Sequence, residues 1–148
     1  MCEQFTTDAE QVVGNATEQA WLHNHGRVNP VDLLLALVWE PAGVPARVLG
    51  GLGVTPAEIT TRVESLVRPE DHVATRSPAF ADATTEILEQ AAQVAYKMGW
   101  GFAKPEHILI ALVDSGDDVV VAVLDGSQVS PETVREAVRA VHRVPVAS

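Results

Sequence analysis

A single register runs through both halves of this chain. Phe80 stands 75 positions after Phe5, and the same offset carries Ala16 onto Ala91, Ala20 onto Ala95 and Pro30 onto Pro105. Without a gap, Leu33-Leu34-Leu35-Ala36-Leu37-Val38 falls on Ile108-Leu109-Ile110-Ala111-Leu112-Val113. Val44, Val48 and Leu49 then meet Val119, Val123 and Leu124, and Val54-Thr55-Pro56 meets Val129-Ser130-Pro131. An apolar pattern kept over about 60 residues means one supersecondary unit written twice, each copy burying its face on the other. The expected layout is a first repeat over 1–67, a linker over 68–79, a second repeat over 80–144 and a tail over 145–148.

Each copy reads as four helices. The first, from Asp8 to His23, carries Ala9, Val12, Val13, Ala16 and Ala20 on one stripe, and its partner carries Ile87, Leu88, Ala91, Ala95 and Met98. Asn24 and Gly26, or Gly99 and Gly101, suit the ends of these helices. The second helix opens at Asn29-Pro30 or Lys104-Pro105, and its apolar run makes it the central element of the unit. A short third helix is expected near Pro45–Leu49 and near Val119–Leu124. The fourth opens at Thr55-Pro56 or Ser130-Pro131, with Ile59, Val63 and Leu66 in one copy and Val134, Val138 and Val141 in the other. Arg68 to Ala79 has no period and reads as linker. The fold class is therefore all-α, with two pseudo-symmetric four-helix repeats packed as one domain.

Composition narrows the partners. Twenty acidic residues against ten basic ones give a net charge of −10, which repels phosphate backbones and makes nucleic acid an unexpected partner. No apolar run approaches the roughly 20 residues of a membrane span. The start, MCEQFTTDAE, lacks the pattern of a signal peptide. A lone cysteine, Cys2, excludes an intrachain disulfide. A cytoplasmic monomer is expected.

Catalytic and metal motifs do not assemble. Cys2 has no histidine near it in sequence, and His23 and His25, two apart, do not share a helical face. His107 follows Glu106 without a zincin pattern. Gly50-Gly51-Leu52-Gly53 follows no strand and lacks the phosphate-loop lysine, so a loop between helices is expected there. Asp114, Asp117 and Asp118 lack calcium-loop spacing and read as a solvated turn. Trp21, Trp39 and Trp100 are isolated and read as packing residues. The expectation is a protein that is not an enzyme and has no cofactor or metal.

Taken together, Phe5-Thr6 with Ala9, Glu18 and Ala20, Asn24-His25, the run from Leu33, Leu52-Gly53, Phe80 and Glu106-His107-Ile108-Leu109 carry a resemblance over Glu3 to Val141. The chain resembles the Clp N-terminal repeat found at the front of ClpC-type unfoldases. That resemblance implies a module that recruits clients and adaptors to an ATP-driven ring. Here it implies binding to a client protein, an adaptor or a Clp unfoldase, as an adaptor or a competitor.

Two ligand sites are implied by the same resemblance. Some ClpC domains bind phosphorylated arginine through a Glu near the start of the second helix of each repeat. Glu106 matches that position in the second repeat, whereas Val31 replaces it in the first. Pro30 and Pro105 stand where a threonine is usual, each removing a backbone N–H from the helix start. Thr6 keeps the threonine after the aromatic, and Ala81 does not. In actinobacterial members, cyclic-peptide antibiotics bind between the first helices of the two repeats. The matching positions here are Cys2, Val13, Phe80, Leu88 and Glu89, with Cys2 in place of the usual aromatic. Sequestration of such a peptide is the alternative function.

Overall fold

A computed structural model describes residues 4–67, 78–125 and 129–143. Cys2, the expected linker up to residue 77 and the tail lie outside the described residues. Eight helices occur among those described: α1 (Thr7–Leu22), α2 (Pro30–Leu37), α3 (Val44–Gly51), α4 (Pro56–Leu66), α5 (Asp82–Lys97), α6 (Pro105–Asp114), α7 (Asp118–Leu124) and α8 (Pro131–Arg143). Their starts repeat at the sequence offset, apart from one residue at α7. The all-α double repeat is what the pattern predicted.

Local chemistry sets the helix starts. Pro30, Pro56, Pro105 and Pro131 each occupy a first helical position, where the missing N–H costs nothing and φ is already helical. Thr6 accepts from the Ala9 amide at 3.2 Å, Thr55 from Glu58 at 3.2 Å and Ser130 from Thr133 at 3.2 Å. Asp117, expected in a solvated turn, caps α7 by accepting from the Val120 amide at 3.1 Å. Left-handed backbone follows α1 and α5 at equivalent places, Asn24 with φ 55° and Gly99 with φ 87°. One boundary differs from expectation. Gly50 and Gly51 form the last turn of α3, because Val48 and Leu49 anchor that turn in the core and φ turns positive only at Gly53.

The packing exchanges the two repeats. Helices α2 and α6 lie together at the centre, with α2 buried from Pro30 to Leu37 and α6 from Glu106 to Val113. Around them α1 packs chiefly on α2 and α5 on α6, within each repeat. Lighter contacts of α1 with α6 and α5 with α2, and the packing of α3 on α8 and α7 on α4, join the repeats. Each pairing has a twin with the repeats swapped. The backbone does the same: Thr6 N–H donates to Ala103 O at 3.0 Å and Ala103 N–H to Gln4 O at 2.7 Å, while Val28 N–H donates to Ala79 O at 2.9 Å and Ala81 N–H to Val28 O at 3.1 Å. The entry segment of each repeat is thus hydrogen-bonded to the loop ahead of the other's second helix. Burial of Leu33, Leu34, Leu109 and Leu112 at this shared centre, at roughly 2 kcal/mol per side chain, belongs to neither half alone.

Candidate functional site

The same duplication builds two grooves. The larger, about 590 Å³, runs between α1 and the end of α2, and Lys104-Pro105-Glu106 of the second repeat close it. The smaller, about 390 Å³, has Ala83, Glu86, Ile87, Gln90, Ala111 and Asp114 in its wall. Those six lie 75 positions beyond Asp8, Gln11, Val12, Asn15, Ala36 and Trp39 of the larger groove. One position separates their character. Asp114 is tied to Arg135, accepting from it at 2.9 Å, whereas Trp39 stands 65% exposed.

Trp39 was expected to pack between helices, and it does not. It follows Val38, the buried C-cap of α2, so the helix has ended just where the indole would have to turn inward. Val12, Leu37 and Val44 supply the apolar wall beside it, and Asp8, Glu40 and Glu106 supply carboxylates. An exposed indole beside aliphatic walls and an acidic rim is suited to a peptide side chain entering from solvent.

Glu106 sits at the meeting of this groove and a buried polar cluster. It is 4% exposed, and its Oε2 accepts from His142 Nε2 on α8 at 2.8 Å. Its neighbour His107 is fully buried and accepts from the Lys104 amide through Nδ1 at 2.9 Å, which leaves the ring proton on Nε2. Burial in the core, above all, pushes the His107 imidazole down to about 4; His142 and Lys104 add to this and Glu106 opposes it. Trp100 packs against both rings, 6.0 Å from His107 and 4.7 Å from His142 between centroids.

The other implied contacts are scattered. Leu88 is 1% exposed and sits in the core, so it supports the surface from beneath and cannot itself touch a ligand. Val13 and Phe80 pack half-buried against the core. Glu89 opens onto a separate depression of about 480 Å³, shared with Gln4 and Tyr96. Thr6 and Ala81 occupy the N-cap positions of α1 and α5, where the Thr6 hydroxyl caps its helix and Ala81 has no side chain to do so.

Of the two neighbouring histidines, His23 is the C-cap of α1 and His25 turns into the core. His23 Nδ1 lies 2.9 Å from Gln19 O, whereas His25 is buried with Nδ1 2.7 Å from Asp32 Oδ1. Asp32 also accepts from the Asn29 amide at 2.8 Å, so one carboxylate caps α2 and fixes an imidazole. Among the described residues no group of three or more His, Cys, Asp or Glu could hold a metal ion, and no helix is long and apolar enough to cross a membrane.

Comparison with known proteins gives these features a place. A chloroplastic ClpA homolog of Brassica napus, the ATP-binding subunit of an ATP-dependent Clp protease, is 30% identical over 139 residues, which is 93% of this chain and 16% of that protein. The chain therefore spans under a fifth of that relative's length. The N-terminal domain of the chaperone ClpD from Arabidopsis thaliana superposes with a TM-score of 0.73 at 21% identity, covering 95% of both chains. The ClpV N-domain solved in complex with a VipB peptide gives a TM-score of 0.74 at 15% identity, covering 93% of this chain and 86% of that one. This N-terminal fold is non-catalytic, and the chain contains no ATPase module. The profile of the Clp repeat N-terminal domain matches residues 4–127 and again 79–147. The chain belongs to that family.

Proposed function

We propose that the protein is a protein-binding module of the Clp chaperone–protease system, which takes a peptide segment of a client, an adaptor or an unfoldase into the groove beside Trp39. The exposed indole carries this reading. A tryptophan left in solvent at the mouth of the larger of the two grooves, where the matching position of the other groove holds a paired aspartate, has the character of a contact residue. The ClpV N-domain, of the same fold, has been solved with a partner peptide. As an adaptor or a competitor, the module needs no chemistry of its own.

The test is affinity capture with the wild-type chain and with Trp39→Ala. Recovery of Clp subunits, their adaptors or clients by the wild type, weakened about 30-fold or more by the substitution, supports the reading. Recovery that Trp39→Ala leaves unchanged, or recovery of none of these, sinks it. A second reading, sequestration of a cyclic peptide, draws on the depression where Glu89 meets the 81% exposed Tyr96. Calorimetric titration with such a peptide against wild type and Glu89→Ala separates the two.

A further inference from the structure

The ends of α5 and α8 meet at a corner that the peptide groove does not use. A pocket of about 340 Å³ opens there, with Lys97 and Met98 from the end of α5, Trp100 from the loop that follows, and Arg139 and His142 from α8. In a chain with twice as many acidic as basic residues, two of the described arginines are already committed. Arg62 donates to the carbonyls of Val123 and Asp125, both at 2.8 Å, and Arg135 to Asp114. Lys97 and Arg139 form no ion pair with any described residue. Lys104 adds a third charge at the edge, its Nζ 4.2 Å from the centroid of the Trp100 ring. The nearby carboxylate, Glu106, is occupied by His142.

The duplicated fold supplies its own control. Shifted back by 75 positions, Lys97, Met98, Trp100, Arg139 and His142 become Leu22, His23, His25, Glu64 and Val67. That corner folds the same way with neither a lysine nor an arginine among them. The framework does not require these charges, and compensation of the helix C-terminal dipole does not account for them, since Leu22 and Glu64 occupy the matching places without it.

We infer that this corner is a second ligand site, taking a free carboxylate that adjoins an apolar group, as at the C-terminal residue of a peptide. The Arg139 fork matches a carboxylate in two parallel hydrogen bonds, and Lys97 supplies a mobile second charge. Met98 and the half-buried Trp100 line the pocket and offer apolar surface to the adjoining side chain. A dense dianion is less well served, because both helices turn their negative C-terminal ends toward the pocket. The volume suits one residue. The inference extends the peptide-binding reading but uses different side chains from the groove at Trp39.

The experiment is a nitrogen-15 NMR titration of the whole chain with N-acetyl-leucine, N-acetyl-leucinamide and inorganic phosphate as probes. Saturable movement of the Trp100 indole N–H with the acid and none with the amide is expected. The double substitution Lys97→Gln with Arg139→Gln should weaken binding about tenfold or more, while the remaining spectrum shows an intact fold. Trp39→Ala should leave the titration unchanged, so that this site and the groove stand or fall separately. Equal movement with the amide, indifference to the double substitution, or tighter binding of phosphate would overturn the inference.

Discussion

The corner ahead of α2 and the corner ahead of α6 solve one problem with different chemistry. Both must give an acceptor to the cap residue's N–H and fill the space beneath the helix start. In the first repeat Asp32 does both tasks, accepting from Asn29 and holding His25 at 2.7 Å. In the second, the equivalent His107 accepts from Lys104 through a neutral ring nitrogen, and Trp100 occupies the place of His25. The charge has moved one residue, to Glu106 where the first repeat has Val31, and it is answered by His142 where the first has Val67. A duplicated fold therefore fixes where an acceptor must be without fixing which residue supplies it.

The harshest way to break this comparison is to part the copies. Fragments 1–77 and 78–148, expressed apart, should each lack a cooperative unfolding transition and regain it on mixing, as followed by circular dichroism. Independent folding of either would mean that the exchanged contacts are dispensable. Next in size, Asp32→Ala removes a buried acceptor from two partners and should cost about 3 kcal/mol in urea unfolding; a cost below about 1 kcal/mol would show that the cap and the imidazole find partners elsewhere.

Acid should separate the corners. His107 titrates near 4 in the folded protein against 6.5 when free, so between these values the unfolded chain binds the extra proton. Stability is then fully present above pH 6.5 and falls as pH drops toward 4, by an amount on the order of 3 kcal/mol. His107→Gln should flatten that slope in urea midpoints measured across the window, and an unchanged slope would assign the acid sensitivity to other groups. The smallest effect belongs to the turn. Gly99→Ala should cost about 1 kcal/mol, because φ is 87° and nothing lies within 4 Å of an added Cβ, leaving backbone strain as the whole penalty. Asn24→Ala at the matching turn should cost less, since asparagine already forfeits part of glycine's advantage there. Equal Tm shifts for the two would contradict this.

The architecture was legible because repetition amplifies a weak signal. Prolines at the second and fourth helix starts and the leucine-rich run are each ambiguous alone, yet their recurrence at one offset leaves one reading. The glycine pair at 50–51 misled, since core anchoring by Leu49 overrides the low helix propensity of glycine. Asp32 could have been found: it stands three residues after a cap asparagine, the place from which a carboxylate reaches back to the cap. Glu106 and His142 carry no such mark, because 36 positions separate them and only the packing of α8 on α6 joins them. Trp39 is visible in the sequence, but its exposure depends on where α2 stops, and the sequence pattern left that boundary open.

The crossed backbone pairs also govern how the molecule bears load. A pull at Gln4 is resisted through Ala103, on the far side of the pseudo-twofold axis, and a pull at Ala79 through Val28. Tension entering either copy is delivered at once to the opposite one, so neither can be stripped off while its twin stays whole. A duplicated domain stitched in this way is hard to unravel piecemeal.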